Sequence, residues 1–307
     1  MAVIVPVNRA YDPAYGAAVT LSPLVTRVLA NNPSPFTFYG TGTYLVGQTA
    51  LAVVDPGPDD PDHLDAILKA ANGRPITHIL VTHTHIDHSP LAAALKARTG
   101  ASTYAFGPHG RDETGGVRVE EGGDMAFAPD FAVRDGDQIF GEGWTMRCVF
   151  TPGHTSNHMC FALEEERAFF PGDHVMGWST TVVSPPDGDM NAYMASLEKL
   201  TARNDAVYYP THGAPIGGPH DGLGRNPQDY VATLIAHRRD REDQILARLK
   251  AGDGTIAAMV EVMYADVDKR LHPAAAHSVF GHLVAMTADG RVATDGPPSP
   301  HGRYRLP

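Results

Sequence analysis

Six consecutive residues, His83-Thr84-His85-Ile86-Asp87-His88, constrain this chain more than any other feature. Three imidazoles and a carboxylate so close together cannot be buried without partners at tolerable cost. Before them, Ile79-Leu80-Val81 reads as a buried strand. After them, Ser89-Pro90 reads as a helix start, with Leu91, Ala94 and Leu95 facing inward up to Gly100. The run therefore occupies the loop that leaves the carboxyl end of a strand. Imidazole nitrogen and carboxylate oxygen are the ligands that zinc and similar cations take. In an extended turn His83 and His85 point the same way, toward one cation. Asp87 and His88, at the helix start, can face a second.

Such a centre needs more ligands, and the sequence repeats one local pattern to supply them. Phe150-Thr151-Pro152-Gly153-His154 ends a strand with a histidine, and Phe169-Phe170-Pro171-Gly172-Asp173 ends another with an aspartate. Tyr209-Pro210-Thr211-His212-Gly213 ends a third with a histidine. Each polar side chain follows an apolar strand and sits beside a Pro-Gly or His-Gly turn, so all can gather along one rim of a sheet core.

Around these motifs, short strands alternate with helices. Thr43–Val46 and Leu51–Val54 read as a hairpin around Gly47, and residues 62–71 have helical spacing. Further strands are expected at 145–150, 159–163, 168–170 and 206–209, with a helix at 190–200. Residues 107–138 read as loops and edge strands. The stretch 217–224, rich in glycine and broken by Pro219, is the clearest boundary, giving expected domains 1–225 and 226–307. Beyond it the pattern predicts a long helix over 227–250, a helix capped by Thr255, another opened by Pro273, and a turn at Asp289-Gly290 into a strand. That is the order of a winged-helix module, with 297–307 expected as a loosely held tail.

Composition narrows the partners. Net charge is −11 in 307 residues, and from Asn226 onward ten basic residues balance ten acidic ones. The whole excess therefore precedes the boundary, which argues against a general polyanion binder. The apolar start is broken by Pro6 and too short for a signal, and no run approaches a membrane span. Cys148 and Cys160 form no metal-type pair and fit buried thiols in a reducing cytoplasm.

The motifs THTHIDH, TPGHT, PGD and THG, in that order, resemble the metallo-β-lactamase superfamily over roughly the first 225 residues. TPGHTSNHMCFALEEERAFFPGD and IAHRRDREDQIL are similar to its lactamase-β-like branch, which includes a single-strand endoribonuclease. The resemblance implies an α/β (α+β) fold, a four-layer αββα sandwich, followed by a small winged-helix-like domain. It implies two divalent ions, zinc above iron or manganese. His83, His85 and His154 would hold the first, and Asp87, His88 and His212 the second, with Asp173 between them. Asp55, in VVDPG, matches the acid that buttresses the cluster. No cysteine stands among these positions, unlike the main secreted metallo-β-lactamases.

Two cations bracketing a water give a hydroxide near neutral pH. The expected enzyme is a cytoplasmic hydrolase of a small ester, thioester or related acyl bond, with Asp87 orienting the nucleophile. The alternatives are a single-strand endoribonuclease acting on RNA, β-lactam hydrolysis as a side activity, and a non-enzymatic nucleic-acid-binding module. The same ligand set serves all three hydrolyses, so substrate choice falls to the loops after Asp173 and to the carboxyl-terminal module. His158, His174 and Thr181 are candidate substrate or supporting residues because they adjoin ligand motifs. Ser179 and Thr180 read equally as pocket lining or plain turn. His63, His78, His109, His220, His237, His272, His277, His282 and His301 read as surface or packing residues. Arg238, Arg239, Arg241, Arg248 and Lys250 read as a solvated, salt-bridged helix face. Tyr39-Gly40-Thr41-Gly42 reads as a hairpin turn.

Overall fold

Alternate residues of one strand already separate the layers. In β4 (Leu51–Val54), Ala52 and Val54 enter one core cluster while Leu51 and Val53 enter another, and all four are buried. A strand covered on both faces implies a sheet inside the molecule. The computed structural model describes residues 3–110, 122–266, 269 and 272–307. The reading of 107–138 as loops and edge strands lies outside the described residues over 111–121.

β4 belongs to a seven-stranded sheet with β1 (Val19–Thr20), β2 (Val25–Leu29), β3 (Gly42–Val46), β5 (Ile76–Leu80), β6 (Ser102–Ala105) and β7 (Phe131–Ala132), in chain order. The pairs are antiparallel from β1 to β4 and parallel from β4 to β7. A five-stranded sheet, ordered β12-β11-β10-β9-β8, comprises β8 (Gln138–Gly141), β9 (Trp144–Phe150), β10 (Met159–Leu163), β11 (Ala168–Phe170) and β12 (Val207–Tyr208). Val46, Val54 and Leu80 of the first sheet meet Trp144, Met146, Phe161 and Phe170 of the second in the central core. α1 (Pro61–Ala71) and α2 (Leu91–Thr99) cover the first sheet through Leu64, Ile67, Leu91 and Leu95. α3 (Met190–Thr201) and α4 (Pro227–Lys250) cover the second through Tyr193, Leu197, Tyr230 and Leu234. These are the four layers of an αββα sandwich.

Helix ends follow local chemistry. Asp60, Asp189, Asn226 and Thr255 accept backbone N–H bonds at the starts of α1, α3, α4 and α5 (Ile256–Met263). Ser89 departs from its expected capping role. The cap of α2 is Pro90, with no side-chain bond, because the Ser89 hydroxyl donates to Asp124 at 2.7 Å.

The carboxyl-terminal part is built from the end of α4, α5, α6 (His272–Ala288) and the ribbon β13 (Ala293–Thr294) with β14 (Tyr304–Arg305). α4 is shared. Tyr230, Val231, Leu234 and Ile235 join the core beside the second sheet, whereas Ile245 and Leu249 join the carboxyl-terminal cluster. The tail is held, contrary to expectation: Tyr304 is buried with Ile256 and Met259, and its N–H donates to Gly254 O at 2.8 Å. An aromatic ring filling a small core fixes the strand that carries it. No helix of the described residues is long and apolar enough to cross a membrane.

Candidate metal centre

The carboxyl ends of β4, β5, β9, β11 and β12 bring Asp55, the 83–88 run, His154, Asp173 and His212 to one rim. β4 and β5 are parallel, with Val54 opposite Leu80, so the loops that follow leave side by side. Asp55, with no exposed surface, uses that adjacency. It accepts from Thr82 N–H and hydroxyl (2.8 Å each), from Thr211 hydroxyl (2.9 Å) and from His88 Nδ1 (2.9 Å). One carboxylate thereby ties the loop after β5 to the loop after β12.

These bonds also set tautomers. The Thr82 hydroxyl hydrogen goes to Asp55, so its oxygen accepts from His83 Nδ1 at 3.1 Å. His88 Nδ1 donates to Asp55, His154 Nδ1 to Val182 O at 2.7 Å, and His212 Nδ1 to Gly40 O at 3.0 Å. In each ring the outer nitrogen holds the hydrogen, leaving the Nε2 lone pair for the cluster. A Cβ at Gly40 would come within 2.1 Å of Ala30 O, so glycine is required there. Gly40 lies late in the connection 30–41 between antiparallel β2 and β3. A bridge between Ser34 and Phe38 closes a turn before it and Gly42 already belongs to β3, so the hairpin turn expected at 39–42 falls earlier in the chain.

His83 Nε2 and His154 Nε2 lie 3.0 and 3.2 Å from His85 Nδ1. Beside this triad, Asp87 Oδ2 lies 3.4 Å from His88 Nε2 and 3.1 Å from His212 Nε2. Asp173 spans the two groups, with Oδ1 3.6 and 3.3 Å from His88 and His212 and Oδ2 4.0 Å from His154. Asp87 Oδ1, Asp173 Oδ1 and His88 Nε2 are buried without a hydrogen-bond partner among the described residues. Buried acceptors left bare at a point of convergence fit cations. The electrostatics agree. Burial alone would lower His212, but the Asp173 and Asp87 carboxylates outweigh it and raise it to about 10. The same opposition holds His88 well above its ordinary value, so this half of the site calls for positive charge. Burial, reinforced by the neighbouring imidazoles, holds His83 well below its usual value, as a neutral ligand requires.

The seven side chains expected to converge do so. The neighbours fall elsewhere. His158 stacks on His83 with centroids 5.0 Å apart and shares a hydrogen bond with Thr151. His174 is fully buried against Tyr193, neither ring nitrogen has a partner among the described residues, and burial pushes it down to about 3. Thr181 donates to Asp173 O at 2.7 Å. None of these three lines the cavity above the cluster, whose walls are Pro35, Phe36, Met176, Trp178 and Val182 with Ser179 and Thr180. His85, Asp87, His154 and Asp173 form its floor. Trp178 stacks on Phe38 at 4.7 Å.

Several supporting residues carry no sequence signal of that role. His109, expected as a surface or packing histidine, shares a 2.9 Å bond with Thr84 and lies 6.0 Å from His85. Asn157 donates to the same Thr84 hydroxyl at 2.8 Å. Arg238, expected on a solvated face, is buried and donates to Thr181 O. Arg239 and Arg248 do form ion pairs, with Glu198 and Asp253.

Known proteins give the context. Residues 37–212 match the Metallo-beta-lactamase superfamily, and residues 255–297 match the Beta-lactamase associated winged helix domain. The chain is 32% identical over 295 residues to the lactamase-like protein adaB of Aspergillus niger, covering 90% of this chain and 84% of that one. It is 34% identical over 277 residues to an atrochrysone carboxyl ACP thioesterase of Aspergillus fumigatus, covering 88% and 77%. The fold resembles a beta-lactamase domain protein from Burkholderia ambifaria, with a TM-score of 0.75, 20% identity, and 97% and 95% of the two chains covered.

Proposed function

The chain belongs to the metallo-beta-lactamase superfamily and is a hydrolytic enzyme, and from that premise we propose that it cleaves a thioester, or a related acyl bond, of a small apolar acid. The observation that carries this reading is the cavity above the His/Asp cluster. Its wall is Pro35, Phe36, Met176, Trp178 and Val182 with the uncharged Ser179 and Thr180, and no lysine or arginine stands among its described lining residues. A phosphodiester chain brings a negative charge with every nucleotide and is met by cations. An apolar acyl group gains from just such a wall. Similarity to a protein named as a thioesterase supports the same choice. The endoribonuclease alternative has no feature of the described lining in its favour.

Two divalent cations fit the donor set, most simply zinc, since one triad is all imidazole nitrogen and the other adds carboxylate. Such cations supply a water acidic enough to ionise near neutral pH and polarise the carbonyl. The protein's own part is orientation. His83, His88, His154 and His212 are held by their Nδ1 hydrogens, and Asp87, on the cavity floor with a bare Oδ1, orients the nucleophile. We also propose the division into a catalytic part, 1–225, and a carboxyl-terminal part, 226–307, and a cytoplasmic location.

The test is metal analysis of the purified protein, followed by turnover of alkyl and aryl thioesters, an activated phosphodiester and single-stranded RNA. Thioester cleavage that disappears with a chelator and returns with zinc is expected. Faster cleavage of RNA than of any thioester, with affinity falling steeply as salt rises, would overturn the substrate reading.

A further inference from the structure

Residues 174–184 run from the Asp173 loop to the approach of α3 without regular secondary structure, so their buried carbonyls need donors from elsewhere. Side chains provide them. Tyr193 OH donates to His174 O at 3.1 Å, and Tyr230 OH to Met176 O at 2.9 Å. Arg225 donates to Gly177 O at 3.2 Å, Arg238 donates to Thr181 O, and His154 Nδ1 donates to Val182 O at 2.7 Å. Tyr230 and Arg238 stand eight residues apart on α4, about two turns, and so share one face.

Arg238 is the unusual member. The residue is 3% exposed, its guanidinium lies 5.3 Å from the Tyr193 ring centroid, and its Nε has no hydrogen-bond partner among the described residues. Among the described residues no carboxylate pairs with it. A buried guanidinium without an anion is costly, and here its charge is met by the Tyr193 ring and the Thr181 carbonyl. Its one strong bond goes to the residue before Val182.

α6 meets the same segment as well. A Cβ at Gly281 would lie 2.6 Å from Val183 O, so only glycine allows this approach of helix to backbone. Ser184 Oγ and His277 Nδ1 lie 3.4 Å apart. Thr181 is thus held by α4, and Val183 and Ser184 by α6. Between them the carbonyl of Val182 accepts from His154, and Val182 also lines the cavity. Consecutive Cα atoms are about 3.8 Å apart, so in four residues none can shift without moving the next.

We propose that Thr181–Ser184 is a strap by which α4 and α6 position His154, so that Arg238 and Gly281 are positioning residues for one half of the metal centre. This rests on the reading of the His/Asp cluster as a metal site. It goes beyond that reading by giving the carboxyl-terminal helices a role in metal affinity. The carbonyl partner of a metal-bound histidine sets its orientation and basicity, and disturbing such partners weakens metal binding by roughly 10–100-fold.

The experiment uses the full chain with Arg238→Met, Arg238→Lys, Gly281→Ala and, as a control on the exposed end of α4, Lys250→Ala. Zinc is titrated against a competing chelator to resolve two affinities, alongside kcat and KM for a thioester and the thermal midpoint. Arg238→Met and Gly281→Ala should weaken one of the two sites by about 10-fold or more. kcat should fall more than KM rises, while Arg238→Lys recovers most of the loss and Lys250→Ala matches the unaltered chain. Alanine favours helix over glycine, so the strain of Gly281→Ala falls on the contact with Val183 O rather than on α6 itself, and the thermal midpoint reports whether each variant stays folded. Two unchanged affinities in Gly281→Ala, or equal weakening of both, would overturn the strap. An unaltered chain that binds no zinc would instead overturn the metal reading beneath it.

Discussion

Asp55 joins two kinds of partner through one buried carboxylate. Thr82 and Thr211 anchor two loops, and His88 is a candidate ligand. Asp55→Ala should therefore weaken binding of a divalent metal by roughly 10–100-fold and lower the thermal midpoint, because buried donors on three residues lose their acceptor together. Metal content after dialysis against a buffered ion, with a melting curve, checks this, and full retention of both metals would refute it. Trp178 works on the substrate side. Trp178→Ala removes the face stacked on Phe38 and should raise KM for aryl and alkyl thioesters several-fold, leaving metal content unchanged. Measured KM and metal stoichiometry decide between that and a structural role, in which both would fail. The seven converging side chains were legible because each is a distinctive residue type in a short local pattern. Gly40 O, Thr181 O and Val182 O were not, since every residue carries a carbonyl and only the folded chain shows which one is used.

Elements were readable in proportion to their length. α1 and α4 carry caps and several turns of apolar spacing, and their starts lie within a residue of those expected. β2 is interrupted by Thr26 and Arg27, and β1 and β14 have two residues each, too few for any period to show, whereas the strand expected after Asp289-Gly290 is present as β13. The contact of α4 with α6 was hidden for another reason: it joins residues distant in sequence, Ile245 and Leu249 with Val279 and Leu283, together with the carboxylate of Glu242. Glu242 of α4 meets His282 of α6 at 3.5 Å and pairs with Arg291. Burial would raise this carboxyl, but the bonds from His282 and Arg291 outweigh it and lower it to about 2 from an ordinary 4.5. A carboxyl depressed by folding stabilises the folded state above its unfolded value, and the benefit is lost as pH falls through the folded one. Glu242→Gln should accordingly melt below the unaltered chain at pH 6, and the gap should close between about pH 4.5 and 2. Melting curves across that range provide the measurement; a gap that widens in acid would contradict the assignment.

At the scale of the molecule, the charge and the hydrophobic core divide the chain in different places. The −11 net charge lies wholly before Asn226, which suits a part that gathers cations. The core does not stop there. Tyr230, Val231, Leu234 and Ile235 of α4 close the layer over the second sheet, with Tyr193 and Leu197 of α3 beneath them. Full burial of each such side chain contributes roughly 1.5–3 kcal/mol, whereas a domain's whole margin is roughly 5–15 kcal/mol. A chain ending at residue 225 would forfeit all four and expose the second sheet's cover. One ending at residue 250 keeps that cover but removes Gly281 and His277 from the strap. The shorter chain is therefore expected to aggregate or melt without cooperativity, and the longer one to melt cooperatively while losing turnover. Circular dichroism melts, sedimentation and thioester turnover of the two truncated chains distinguish these outcomes. A 1–225 chain that melts cooperatively at the full-length midpoint, with undiminished turnover, would show that α4 and the helices beyond it contribute nothing to the catalytic part.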